Sequence, residues 1–459
     1  MSRHVSIEDI APNRFHRLLT LRSSGGSFVD GYVLSIIGIA LPSLGTALML
    51  SNMWEGLIAV SALIGIFFGG FLGGMLTDRF GRKLIYFIGP VLFTVCSLLQ
   101  LWAESGVTLF ILRFFIGLGV GIEYPVATAF LVEFLPKKQR GPCLAGLTIF
   151  FFAGAAAAYI IGQIALEMGG ADGWRWALAS STVFSLGLLL LRLGTPESPR
   201  WLLSKGRKNE ATMVIKKVFG QQFGLKNLPE QPAAKKLSFR DLICSGYGKR
   251  TFFVCMFWTC AVIPVFAVYA FAPKVLEALN LSGRWASYGS IVITMLFVVG
   301  CVLASWLVNV MGRRSLLINS LLWSGMALLL LGSFSEASSP IILSLFGAYA
   351  VLVGGAQVLQ FVYPNEIFPT EIRAAAVGLG TSVSRIGAII GTYLVPISIA
   401  IYGIGYTMYF AAGITFVGLL VSWFMAPETR GIDLSEACSL KTEPAVKCSS
   451  RQLIAGKTT

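Results

Sequence analysis

The chain has 459 residues, of which 55% are hydrophobic and 13% charged, with a formal net charge of +14. A soluble globular domain carries about 25% charged residues, and long apolar runs, each able to cross a ~30 Å hydrocarbon layer, recur here almost end to end. A soluble fold is therefore excluded, and the positive excess reads as Lys and Arg gathered on one side of a membrane, not as a nucleic-acid footprint.

Residues 1–18 are polar and form a cytoplasmic N-terminus. No small-residue cleavage site follows a short apolar core, so the first apolar run reads as a true span. It covers about 19–48 and contains Asp30 and Pro42. Further spans fall at about 56–76, 84–102, 107–132, 142–165 and 174–194, completing an N-terminal bundle of six helices over 19–194. The fourth of these holds Arg113 and Glu123.

Residues 195–250 break the pattern. Arg200 to Arg250 contains twelve Lys or Arg and three acidic residues. This is a cytoplasmic basic linker with short amphipathic helices. Six more spans follow at about 252–274, 288–308, 316–334, 340–363, 372–398 and 402–426, giving a C-terminal bundle over 251–426 and a cytoplasmic tail over 427–459. The fold class is all-α and polytopic: twelve spans in two pseudo-symmetric bundles. Eight cysteines show no metal-ligand spacing, and no cofactor signature is present.

Paired markers reveal the internal repeat. Gly81-Arg82 corresponds to Gly312-Arg313, and Pro196-Glu197 to Pro427-Glu428, both 231 residues apart. Glu133-x-x-Pro136-x-x-x-Arg140 corresponds to Glu366-x-x-Pro369-x-x-x-Arg373, 233 residues apart. Three markers in one order imply two related halves. Such halves can form a cleft near mid-membrane and move against each other around it.

These motifs resemble the major facilitator superfamily across almost the whole chain. Gly74-x-x-x-Asp78-Arg79-x-Gly81-Arg82-Lys83 matches its cytoplasmic gating motif, and Arg113-Phe114-Phe115-x-Gly117-x-Gly119-x-Gly121 its fourth-helix pattern. Pro196-Glu197-Ser198-Pro199-Arg200-Trp201 is similar to the sugar-porter and metabolite-proton symporter branch, which includes organic-anion and aromatic-acid carriers. The resemblance implies a transporter, not an enzyme, with the proton as coupling ion and no other cofactor. Sugar porters usually carry a glutamine-rich seventh helix, but Phe252 to Val275 has no glutamine.

Asp30 is the leading proton-coupling candidate, because a carboxylate in a long apolar helix is costly unless protonated, hydrated or paired. The resemblance gives the matching acid that role and supports Arg113 as its partner; the alternative for Arg113 is a helix-end arginine that snorkels to the surface. Glu123 is a further proton-site or ligand candidate. Arg385 is the clearest substrate clue, since a guanidinium engages a carboxylate through two directed hydrogen bonds. Its alternative is an interhelical salt bridge, to Glu123 for example. Tyr32, Trp258, Tyr269, Gln357, Gln360, Tyr363 and Tyr393 are cavity-lining candidates. Asp78, Arg79, Arg82, Glu133, Arg140 and Glu197 form a gating cluster, and Glu366, Arg373 and Glu428 its counterpart, where Asn309 replaces Asp78.

The leading expectation is proton-coupled import of a small organic anion: a monocarboxylate, aromatic acid, nicotinate-like acid or sugar acid. The alternatives are an exporter of organic cations or drugs, a sugar-proton symporter, and a transporter-like receptor. The expected partners are solute, proton and membrane lipid, with no nucleic acid. The expected form is a monomer in a bacterial inner membrane, both termini cytoplasmic.

Overall fold

A computed structural model describes the backbone of residues 7, 10–227, 247–278, 284–368 and 370–430. Within these, the side chains of residues 52, 74–75, 78, 137–138, 140–141, 204, 267–278, 284–287, 309, 370–375 and 396 lie outside the description. The architecture among the described residues is all-α. The first half contains α1 (Arg14–Ala47), α2 (Asn52–Phe80), α3 (Arg82–Leu99), α4 (Gly106–Phe134) and α5 (Lys137–Gly169), then α6 (Gly173–Ala179) and α7 (Ser181–Arg192). The linker contributes α8 (Pro199–Ser204) and α9 (Lys208–Phe219). The second half contains α10 (Gly248–Ala278), α11 (Arg284–Met311), α12 (Arg313–Ser333), α13 (Ser339–Leu352), α14 (Gly354–Ile367) and α15 (Thr370–Met425).

The helix ends follow from local chemistry. At the start of α1, the Asn13 side chain accepts from the His16 N–H at 3.0 Å, and His16 Nδ1 accepts from the Asn13 N–H at 3.0 Å. Two otherwise unsatisfied donors are thereby paired reciprocally. Gly81, between α2 and α3, has φ +99°, and Gly312, between α11 and α12, has φ +89°. Only glycine adopts this backbone without strain. The helix break expected near 399–401 lies instead at Gly403, φ 82°, inside α15. The hydroxyls of Ser398 and Thr407 meet at 2.8 Å across that break. A continuous helix would separate them by about 13 Å, so the chain folds back there.

Ten stretches among the described residues are long and apolar enough to cross a membrane. Their outer faces are apolar too: Val91, Val95, Leu98 and Trp102 are exposed, whereas Tyr86, Gly89 and Phe93 of α3 are buried. That arrangement fits lipid outside and helix packing inside. Small residues permit the closest approaches. A Cβ on Gly117 of α4 would meet the backbone of Ala62 in α2, and one on Gly31 of α1 would meet the backbone of Phe151 in α5.

The halves touch along α2 and α15 at two levels. A Cβ on Gly56 would lie 3.2 Å from the Tyr393 ring, and one on Gly70 would lie 3.2 Å from Ser382 Oγ. Fourteen residues of α2 separate these levels, about 21 Å of helix. Elsewhere Phe152 of α5 stacks on Phe297 of α11 at 5.3 Å, and Tyr124 of α4 packs against Phe361 of α14 at 5.8 Å.

Candidate functional site

Asp30 lies mid-way along α1 and is fully buried. Neither of its carboxylate oxygens has a hydrogen-bond partner. Arg113 is also buried, but it is not paired with Asp30. Its Nη2 donates to the Val33 carbonyl at 3.4 Å and its Nε has no partner. Val33 lies about one turn along α1 from Asp30, so Arg113 stands one turn away on that side. The alternative of a surface-seeking Arg113 is ruled out by its burial: it lines a small cavity together with Leu34, Phe266 and Thr392.

On the other side of Asp30 is an arrangement the sequence reading missed. Glu123 of α4 accepts both ends of the Arg192 guanidinium; one of the two contacts, Nη1 to Oε2, measures 2.9 Å. Arg192 Nη1 also donates to the Tyr86 carbonyl at 2.5 Å, and its guanidinium carbon lies 3.6 Å from the Tyr86 ring centroid. Both members of the pair are buried. Glu123 is thus taken by Arg192, not by Arg385. Arg192 ends a leucine run, Leu188 to Leu191, just before Pro196. A basic residue there resembles an ordinary cytoplasmic stop, so only its conspicuous neighbour Glu123 hinted at a partner.

Arg385 of α15 is buried, with Nε and Nη1 unpartnered and its guanidinium carbon 4.8 Å from the Phe266 ring centroid. Tyr124, in the other half, lies within electrostatic range of both Arg385 and Asp30. Trp258 is buried with a free Nε1 and packs edge-on to Phe361 at 5.8 Å. Gln357 donates to the Ala261 carbonyl, and Gln360 to Gln357 Oε1, each at 3.0 Å. These residues surround the meeting of the halves near Phe361 and Phe266.

The other lining candidates separate. Tyr32 is sealed inside the first half, where its hydroxyl meets Ser180 Oγ at 2.6 Å. Tyr363 donates to the Pro427 carbonyl at 2.9 Å, which places it beside the second clamp and away from the Arg385 cluster. Tyr393 sits against Gly56. The Tyr269 side chain lies outside the description. A crevice in the second half is lined almost entirely by apolar groups such as Ile263, Leu394 and Phe410. Its apolar walls suit lipid better than a polar solute, and none of the buried charges reaches it.

The two clamps are built alike. Glu197 Oε1 accepts from the Arg82 N–H at 2.9 Å, and its carboxylate also accepts from the Lys83 N–H at 3.1 Å. Arg82 pairs with Glu133 at 3.3 Å. In the second half, Glu428 Oε1 accepts from the Arg313 N–H at 3.0 Å, Oε2 from the Arg314 N–H at 3.1 Å, and Arg313 pairs with Glu366 at 2.9 Å. Glu197 thereby caps the N-terminus of α3 and Glu428 that of α12, where free N–H groups favour an anion. Burial would raise the Glu428 carboxyl, but four backbone N–H donors outweigh it and hold the group below the usual range. Arg79 lies exposed against the Phe80 ring, 5.4 Å from its centroid. Asp78, Arg140 and Arg373 lie outside the described side chains.

Residues 14–440 match the family described as sugar (and other) transporter. The candidate metabolite transport protein YaaU of Escherichia coli (strain K12) is 39% identical over 436 residues, covering 95% of this chain and 97% of that protein. The inner membrane metabolite transport protein YgcS of the same organism is 35% identical, covering 94% and 96%. The solved structure of the proton:xylose symporter XylE bound to 6-bromo-6-deoxy-D-glucose matches with a TM-score of 0.80 at 25% identity, covering 94% of this chain and 99% of that one.

Proposed function

The chain belongs to the sugar (and other) transporter family of the major facilitator superfamily, and from that premise we propose that it is a proton-coupled symporter of a small polar solute of the sugar class. It is a transporter, not an enzyme. Asp30 carries the reading: a fully buried carboxylate with no hydrogen-bond partner is suited to hold a proton and release it when its surroundings change. The xylose carried by XylE supports a sugar over the organic acid that the sequence alone favoured. Glutamines missing from α10 are supplied by Gln357 and Gln360 of α14.

A carboxylate on that solute is the second reading, and Arg385 favours it. A buried guanidinium with two free nitrogens and no acidic partner among the described residues leaves a charge uncompensated. A sugar acid would satisfy both the sugar-like kinship and the free cation. A cation exporter finds less support, because the one unpartnered carboxylate, Asp30, is assigned to the proton and the group left free beside Phe266 is the Arg385 guanidinium.

Twelve spans are the arrangement we infer. The stretch Pro142–Arg192 contains both α5 and the α6–α7 pair, and the part of α15 before Gly403 adds one more to the ten. Two bundles over 19–194 and 251–426 then rock about the Asp30–Arg385 region while the clamps close the cytoplasmic side. Both termini face the cytoplasm, and the address is a bacterial inner membrane, as the name of YgcS supports. The test is substrate-stimulated proton entry into proteoliposomes, using D-xylose, D-glucose and their acid derivatives. A sugar or sugar acid that acidifies the lumen supports the proposal; no response to any of them overturns it.

A further inference from the structure

The Glu123–Arg192 pair lies against α1 one turn from Asp30. A Cβ on Gly26 would run into Arg192 Nη2 and Glu123 Oε1, and one on Gly89 of α3 would approach Glu123 Oε2 at 3.2 Å. Gly26 and Asp30 are four residues apart and share a helix face. Glu123 and Arg192 both lie within electrostatic range of Asp30. The remaining groups around the cluster are Arg22 of α1, Tyr86 of α3 and Tyr124 of α4, with Arg113 of α4 a turn beyond Asp30 at the Val33 carbonyl and Arg385 across the interface. Arg22 is turned away from the pair, donating to the carbonyls of Leu191 and Leu193 at 2.8 Å each.

Two carboxylates therefore compete for one close buried cation. If both were ionised, one negative charge would stay buried without a bonded partner, which costs far more than holding one proton. The observed bonds show which carboxylate has the cation: Glu123 is paired, and Asp30 accepts nothing. Arg192 also stands only five residues before Glu197, the acceptor of the first clamp.

We infer that Arg192 is a positioning residue for proton coupling, pairing with Glu123 while Asp30 holds the proton and moving to Asp30 when that proton passes to Glu123. The step breaks the Asp30 O–H bond and forms a Glu123 O–H bond, leaving the cluster's charge unchanged. Glu123 then releases the proton on the clamp side. The inference rests on the reading of Asp30 as the coupling carboxylate.

Infrared difference spectroscopy tests it with no solute present. Full-length protein in lipid nanodiscs is titrated, and the protonated-carboxyl band removed by Asp30→Asn is followed. Glu123→Gln frees Arg192 for Asp30, so the pH profile of that band moves to lower pH by about one unit, a tenfold change in proton affinity. Arg192→Gln moves it in the opposite direction, and Arg192→Lys, which keeps a cation, restores most of the displacement. A general packing defect has no reason to produce opposite displacements. If Arg192→Gln does not fold, Glu123→Gln and Arg192→Lys still fix the sign. Displacements in one common direction, or none, overturn the inference. If no pH-sensitive band is lost in Asp30→Asn, the reading of Asp30 itself fails, separately from the role of Arg192.

Discussion

Arg192 holds Glu123 through both ends of its guanidinium, while Asp30, one turn along α1 from their contact with Gly26, accepts no hydrogen bond. The most conspicuous acid in the first span is therefore the free one. Its close cation, Arg192, is committed to Glu123 and Tyr86, while Arg113, a turn further along α1, donates to the Val33 carbonyl. Proton exchange at Asp30 need not first break an ion pair in this conformation.

Asp30→Asn removes the titrating group but keeps the size of the side chain. The expected result is loss of pH-driven accumulation with retention of solute exchange, measured with D-xylose or a sugar acid in proteoliposomes. Uphill uptake at the unmodified level by this variant would show that the driving proton binds elsewhere.

Arg385→Ala separates the two solute readings. If a carboxylate fills the space beside Arg385, the variant weakens acid binding by about 2 kcal/mol or more, roughly thirtyfold, as for other truncated buried charge pairs. A neutral sugar of matching size loses far less. Calorimetric titration of both ligands against the purified protein checks this. Equal losses for the two point to general damage around Phe266 and Trp258.

Much of the fold was legible because membrane spans and repeat markers are strong signals. Repeat spacing marks Gly81-Arg82 with Gly312-Arg313 and Glu197 with Glu428 as counterparts, and the bonds from the Arg82 and Arg313 backbone N–H groups to these glutamates are what the structure adds. Boundaries were less legible. Ser180 separates α6 from α7, Val353 joins α13 to α14, and the fold-back waits until Gly403. Hydropathy does not register such changes, because backbone geometry alters while the residues stay apolar. The central charges were half legible. Asp30, Glu123 and Arg385 stand out in apolar runs, but partner choice depends on how helices rotate against one another. Gly26 is what makes room for Arg192 beside Glu123, and one sequence does not reveal which neighbour a glycine admits.

Gly26→Ala tests that packing. The added methyl group would overlap the ion pair, and forced overpacking costs about 1–3 kcal/mol. Gly187→Ala is the control, since a Cβ there meets nothing within 4 Å. At that exposed helical site alanine is expected to be neutral or mildly stabilising. Thermal inactivation in detergent at a single scan rate should fall for Gly26→Ala alone. Equal behaviour of the two variants would mean that the pair shifts without resistance.

The second clamp carries a pH signature of its own. The four N–H donors hold the Glu428 carboxyl below its ordinary value despite burial, so the folded protein binds this proton less readily than the unfolded chain. Its stabilising contribution is therefore complete above the ordinary carboxylate range, near pH 4.3, and drains away as pH falls through the lower folded value. The clamp should be intact at about pH 5 and at about pH 7, and should loosen only in stronger acid. A cysteine replacing exposed Val310, whose carbonyl accepts from Arg430, reports this on a cysteine-free background. Its labelling rate should stay flat through mild acid and then rise. With Glu428→Gln added, labelling should be fast throughout, because a neutral amide cannot accept the same set of backbone donors with full charge. A rate that climbs already between neutral pH and about pH 5 would assign the sensitivity to another group in the clamp.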